Sequence, residues 1–269
     1  MNERKFSASI LADYDCWLRQ EERADATREK YLRSVRAFAA WLGGAAVTKD
    51  AVTEWKSQLV ERHQAPASIN TALAALNGLF RFLGWEDCRA KFLKVQHRIF
   101  RAPERELTRA EYARLLAAAK NSGDARLALL MESICATGIR VSEVKYLTVE
   151  AAQCGRAEVA LKGKIRTILL PAKLCRKLLK YAQKQKIAHG EIFLTMGGKG
   201  MDRRQIWAAM KRLCRKAGVA PSKVFPHNLR HLFATAYYRV YRDIVKLADM
   251  LGHSSIETTR IYLVESGAE

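Results

Sequence analysis

Apolar side chains recur along this chain at helical spacing, and glycine or proline cuts the pattern at intervals. In TREKYLRSVRAFAAWLGG the apolar positions are Tyr31, Leu32, Val35, Phe38, Ala39 and Leu42, one stripe along a helix. Thr27 stands where a cap is expected, and Gly43 with Gly44 where the helix stops. TKDAVTEWKSQLVERH and PASINTALAALNGLFRFLGW repeat the pattern, the second entered at Pro66 and left at Gly84. Residues 6–20 predict one more helix. Each short amphipathic helix must bury its stripe against another, so the first part of the chain is expected to be a small helical bundle.

The periodicity lapses over EDCRAKFLKVQHRIFRAPERE, where charge gathers and Pro103 intervenes, which reads as a linker with a short helical part. LTRAEYARLLAAAK then opens a second domain, with Thr108 three residues ahead of Glu111 at capping-box spacing. Helices are predicted in DRRQIWAAMKRLCRKAG, HNLRHLFATAYYRV, DIVKLADMLG and SIETTRIYL. EVALKGKIRTILLP breaks the helical pattern: two apolar runs around Lys-Gly-Lys make a β-hairpin by composition. The expected fold is mainly α with a small β-hairpin, in two domains over residues 1–88 and 107–269 joined by a linker over 89–106. A chain of 269 residues is long enough for both.

Charge separates the two domains. The formal net charge is +20, yet residues 1–100 hold 16 Lys/Arg against 12 Asp/Glu, and residues 101–269 hold 31 against 15. From Val159 to Arg242, 20 basic side chains face only Glu191 and Asp202. Mixed signs serve solubility, whereas a tract of one sign repels itself unless a polyanion neutralises it, and nucleic acid is the expected partner. A membrane surface fits less well, because no single strongly amphipathic basic helix is read in the sequence. No apolar run approaches the ~20 residues that span a bilayer. MNERKFSASILADYDCW reads as the start of a helix rather than a signal peptide, and the expected location is cytoplasmic. The six cysteines are scattered without a CxxC pair and read as reduced, structural thiols.

Four places in the second domain carry side chains suited to a phosphate. Arg140 lies in ATGIRVSEV, where Gly138 implies a turn leading into a helix. His227 and Arg230, three apart in HNLRH, share one helical face. Lys162 and Lys164 sit in the hairpin turn. In LGHSSIETTRIYL, His253 follows the helix-stopping Gly252, and Tyr262 comes one short helix later. Each alone has an ordinary alternative: a surface arginine, a solvated helix edge, exposed turn lysines, a terminal tyrosine packing its ring. MGGKGM lacks the pattern of a phosphate loop and reads as a turn. No HExxH, GxSxG or clustered acidic pair supports a metalloprotease, a serine hydrolase or a two-metal nuclease.

Taken in order, TGIRVSEV, LKGKIR, HNLRHLFAT and LGHSSIETTRIYL resemble the tyrosine recombinase (phage integrase) family. TREKYLRSVRAFAAWL resembles that family's helical, SAM-like core-binding domain, and the likeness is to short, Xer-like members without an arm-binding domain. The resemblance implies a site-specific recombinase of a prokaryotic cell, phage or mobile element. It would cleave and rejoin DNA through a 3′-phosphotyrosine on Tyr262. A covalent intermediate conserves the bond energy, so no high-energy cofactor is expected. Arg140 and Arg230 can grip the non-bridging oxygens with planar hydrogen bonds, so no metal is expected either. Further implied roles are Lys162 protonating the leaving 5′-oxygen, His227 assisting proton removal from Tyr262, and His253 bonding the scissile phosphate. Glu143 would brace Arg140. Lys164 competes with Lys162, because KGKIR is shorter than the GKGNKER of many relatives. The implied partners are double-stranded DNA and three further copies of the chain, a tetramer on two synapsed sites formed from monomers free in solution, with a Holliday-junction intermediate. Only LVESGAE follows Tyr262, short for the C-terminal helix that many relatives dock on a neighbour. Two other readings stay open: a monomeric type IB topoisomerase using the same tyrosine, and a non-catalytic DNA-binding protein.

Overall fold

The computed structural model describes residues 4–95, 105–161, 164–253 and 255–260. The chain resolves into two compact units, Met1–His97 and Arg98–Glu269. The first is built from α1 (Ala8–Gln20), α2 (Asp25–Leu42), α3 (Lys49–Glu61) and α4 (Pro66–Phe82). The stripe of α2 is buried at Leu32, Val35, Phe38 and Leu42, and α2 packs mainly on α4. Gly43 ends α2 in the left-handed conformation (φ 61°), but the helix starts ahead of Thr27. No side chain caps it, and the Thr27 amide bonds to the Ala24 carbonyl. Asp25 as first residue suits the positive end of the helix dipole, and in the same turn Arg28 is held from two sides by Asp25 and by Asp15 of α1.

Close approach also shapes the bundle. Tyr14 is fully buried and donates to the Ala75 carbonyl (3.1 Å). Gly78 makes the room, since a Cβ there would stand 2.6 Å from the phenolic oxygen. Two asparagines of α4 clamp the chain that follows. Asn77 exchanges two hydrogen bonds with the Ala90 backbone, and Asn70 two with that of Leu93.

The second unit contains α5 (Arg109–Asn121), α6 (Ala125–Thr137), a 3₁₀ segment Val141–Tyr146, α7 (Val149–Cys154), β1 (Arg156–Leu161) and β2 (Lys164–Leu169). It continues with α8 (Ala172–Lys184), α9 (Arg203–Ala217), α10 (Pro226–Tyr241), α11 (Ile244–Leu251) and α12 (Ile256–Arg260). The expected capping box on α5 forms in both directions. The central helix is α6, which packs against α5, α8, α9 and α10 and buries Leu127, Leu130, Met131 and Ile134. Its adjacent Ala128 and Leu129 are buried as well, so it shows no narrow stripe, and periodicity alone did not single it out.

The hairpin is antiparallel, in register from Arg156 opposite Leu169 to Leu161 opposite Lys164. Val159 and Ile168 face the core, and the Tyr146 hydroxyl donates to the Ala160 carbonyl (2.6 Å). Lys162 and Gly163 lie outside the described residues, as does the side chain of Lys164.

The sequence reading of the charge needs one correction. α8 and α9 are both strongly amphipathic and basic. α8 exposes Lys173, Arg176, Lys177, Lys180 and Lys184 while burying Leu174, Cys175, Leu178 and Ala182. α9 exposes Arg203, Arg204, Arg212, Arg215 and Lys216 over buried Ile206, Met210 and Leu213. The apolar faces of both helices are occupied by the unit's own core, so what they offer outward is charge rather than a surface to insert into lipid. Among the described residues no helix is long and apolar enough to cross a membrane.

Candidate active site

The site is assembled at the C-terminal end of α11. α6 stops at Gly138, which is left-handed (φ 64°) and lies so close to α10 and α11 that a Cβ would stand 2.5 Å from the Phe233 ring and 2.9 Å from Leu251. This turn delivers Arg140 to the head of the 3₁₀ segment. On α10, buried Asn228 fixes the first turn by donating to the carbonyls of Arg105 (2.6 Å) and Lys223 (2.8 Å), and Arg230 follows half a turn later. α11 ends at Gly252 (φ 62°), and His253 comes next.

Three guanidiniums from three elements meet three successive carbonyls at that helix end. Arg166, from β2, donates through Nη1 to Met250 (3.0 Å). Arg230 donates through Nη2 to Leu251 (2.6 Å) and through Nη1 to Gly138. Arg140 donates through Nη2 to Gly252 (3.1 Å). The last carbonyls of a helix have no partner within it, and the helix dipole makes this end negative, so cations belong here. Glu143, only 3% exposed, receives Nη1 of Arg140 (2.9 Å), the Arg140 amide (2.9 Å) and Nη2 of Arg166. Burial alone would raise its pKa, but the Arg140 amide and the two guanidiniums outweigh that and hold it below the ordinary value. Burial lowers the pKa of Arg166, against the opposing pull of Glu143. Two guanidiniums on one carboxylate, with a third at the same helix end, leave an excess of positive charge, the electrostatics of a site for an oxyanion.

His253 is held at both ring nitrogens. Nε2 lies 3.0 Å from Nη2 of Arg230, and Nδ1 lies 2.8 Å from the hydroxyl of Thr259, a fully buried residue of α12. A guanidinium can only donate, so Nε2 accepts and the ring hydrogen sits on Nδ1, donating to Thr259. Burial first, then the charges of Arg230, Arg140 and Arg166 and the neighbouring His227, push the His253 pKa down to about 4. The free protein should therefore keep this ring neutral at pH 7. An unfolded histidine titrates near 6.5, so between that pH and about 4 the unfolded chain binds the extra proton. The His253 contribution to stability is thus complete above pH 6.5 and is lost as pH falls toward 4. A histidine-selective NMR titration reads this directly; a His253 pKa at or above 6.5 in the free protein would remove both the tautomer and its cause.

The Arg140–Glu143 segment, Arg230 and His253, far apart in sequence, are thus neighbours in space. His227 is exposed in the first turn of α10, near enough to lower the His253 pKa. Tyr262 and Lys162 lie outside the described residues; α12 reaches Arg260. Two residues of the cluster escaped the sequence reading. Arg166 shares the inward side of β2 with Ile168, while Ile165 and Leu169 are exposed. An arginine inward and apolar residues outward invert the usual alternation, and only the hairpin register reveals it. Thr259 is buried and Thr258 exposed, a difference that nothing in the TT pair announces.

Two largely buried arginines, the half-buried Arg140 and a neutral imidazole thus converge beside α11 and α12, with the charge and the donors that a phosphate-like anion requires. Residues 105–268 match the phage integrase family, and residues 11–87 match the phage integrase N-terminal SAM-like domain. The tyrosine recombinase XerD of Vibrio cholerae serotype O1 is 30% identical over 230 residues, covering 78% of this chain and 74% of that protein. The tyrosine recombinase XerA of Thermococcus kodakarensis is 28% identical over 260 residues, covering 94% and 89%. In fold, the chain is similar to a lambda integrase tetramer bound to a Holliday junction (TM-score 0.80, 20% identity, 100% of this chain and 80% of that one). It is also similar to the Tn1549 transposon integrase in complex with transposon right end DNA (TM-score 0.74, 17% identity, 94% of both chains). The chain belongs to the phage integrase family, the site-specific tyrosine recombinases, which cleave and rejoin DNA through a tyrosine intermediate.

Proposed function

We propose that this recombinase acts on double-stranded DNA with Tyr262 as nucleophile, Arg140, Arg230 and His253 around the scissile phosphate, and a tetramer of the chain holding two sites together. The observation that carries the reading is the convergence of Arg140, Arg230 and His253 at the end of α11, tied through Thr259 to the helix that leads toward Tyr262. The Tyr262 oxygen attacks phosphorus, the bond to the 5′-oxygen breaks, and the leaving oxygen takes a proton from Lys162. Attack by that 5′-hydroxyl, or by one from the second site, reverses the step and rejoins the strand. His227 receives the phenolic proton. The entering phosphate competes for the hydrogens of Arg230, frees Nε2 of His253 and favours its protonated form, which then donates to the phosphate. Exposed arginines and lysines of α8 and α9 supply phosphate contacts along the duplex, which makes binding steeply dependent on salt.

The test is strand exchange between two differently marked duplexes carrying the recombination site, run in excess EDTA, with the covalent adduct mapped by mass spectrometry. Joint products and an adduct on Tyr262 are expected. Relaxation of supercoils without joint products would point to a topoisomerase, and strict dependence on added magnesium would remove the arginine-based chemistry.

The hairpin lysines are separated by a sulfur substitution. A general acid matters only while the leaving oxygen is basic, and a bridging 5′-sulfur needs no proton. Lys162→Ala should cleave ordinary DNA slowly and the sulfur substrate at nearly the parent rate, with Lys164→Ala close to the parent on both. Rescue seen for Lys164→Ala alone would transfer the role to that residue.

A further inference from the structure

Arg140 is 39% exposed, so its guanidinium needs an outside agent to hold one orientation. Its two partners are Glu143 and the Gly252 carbonyl, and Arg166 packs against both. Nη2 of Arg166 bonds the same Glu143 oxygen that receives the Arg140 amide, and Nη1 bonds Met250. The Arg166 side chain lies directly on Gly252: a Cβ there would be 2.5 Å from Cδ and 2.8 Å from Nη1. It is itself only 15% exposed, with its described hydrogen bonds directed inward and its buried Nε without a hydrogen-bond partner among the described residues. A buried donor left unsatisfied costs stability, so this placement serves the groups at the two ends of the fork rather than the arginine itself.

We propose that Arg166 is a positioning residue for DNA cleavage: by pinning Glu143 and the end of α11 together, it fixes the guanidinium of Arg140 against the reacting phosphate. Without Arg166 the buried Glu143 carboxylate loses one of its two charge partners and turns toward Arg140, and the Gly252 carbonyl loses the side chain packed over it. Arg140 then keeps its charge but not its direction. This rests on the reading of Arg140 as a partner of the transition state.

The experiment compares Arg166→Met, Arg166→Lys, Arg140→Ala and the double variant Arg140→Ala/Arg166→Met in the full chain. The measured quantities are binding to a nicked suicide duplex, single-turnover cleavage and thermal melting. A displacement of about 1 Å at a reacting centre costs ~10²-fold in rate, so Arg166→Met should cleave about 10²-fold more slowly while binding within about threefold of the parent. Arg166→Lys should not recover the rate, because an ammonium cannot span Glu143 and Met250 as a planar fork does. The double variant should be no slower than Arg140→Ala, whereas a purely structural role would multiply the two losses. A bridging 5′-sulfur should leave the Arg166→Met defect in place. Parent-like cleavage by Arg166→Met, multiplied losses, or rescue by sulfur would each overturn the proposal. Should Arg166→Met fail to fold, the folded Arg166→Lys variant carries the same comparisons. Parent-like cleavage by Arg140→Ala would instead overturn the reading of the site on which the proposal stands.

Discussion

Tyr262→Phe should bind its DNA site as the parent does and form no covalent adduct. The substitution removes one oxygen and keeps the ring, so only the attacking atom is lost. A substitute would have to lie in line with the leaving 5′-oxygen, a geometry that a single nucleophile is placed to meet. Loss should therefore reach the detection limit on a nicked suicide duplex, where the parent accumulates adduct. Melting temperature and duplex affinity serve as controls and should stay unchanged. An adduct at the parent's yield in Tyr262→Phe would reassign the nucleophile.

Arg230→Ala should show the largest combined effect on stability and activity. Arg230 is 3% exposed and holds the carbonyls of Gly138 and Leu251 together, so its loss leaves buried acceptors unmatched and opens a void between α6, α10 and α11. Each such unmatched group costs about 1–3 kcal/mol, which should appear as a clear drop in melting temperature. Loss of a charge partner of the transition state should slow cleavage by ~10²–10³-fold even in the fraction that stays folded. His253 supplies an internal check. Arg230 is the leading charge that depresses its pKa, so in Arg230→Ala the imidazole should titrate above the value of about 4. Arg140→Ala should behave differently, with a similar loss in rate and a smaller loss of stability, because that side chain is 39% exposed and Glu143 keeps Arg166 as a partner. Equal melting temperatures for the two variants would contradict the buried, bridging role of Arg230.

Much of this molecule is local in origin, and local features are legible in a linear chain. Helical stripes, the Thr108–Glu111 capping box, the glycines ending α2 and α11, and the Lys-Gly-Lys hairpin each depend on residues a few positions apart. The order of Arg140, the hairpin lysines, His227 with Arg230, His253 and Tyr262 could be read for the same reason, as short motifs strung along the chain. Where local signals are ambiguous, the structure departs from the expectation. Thr27 has the chemistry of a cap, yet α2 begins at Asp25, and α6 shows no stripe because neighbours cover it on nearly every side.

What only the tertiary structure decided is everything that depends on distance between elements remote in sequence. Burial of Thr259 rather than Thr258, the neutral tautomer of His253, and the inward turn of Arg166 are not properties of any segment. They follow from which carbonyls the end of α11 leaves open, and from which guanidiniums β2, α10 and the 3₁₀ segment bring to them. A hydrogen bond between residues 84 or 112 positions apart has no signature in the intervening chain, because packing selects it only after every helix has found its place.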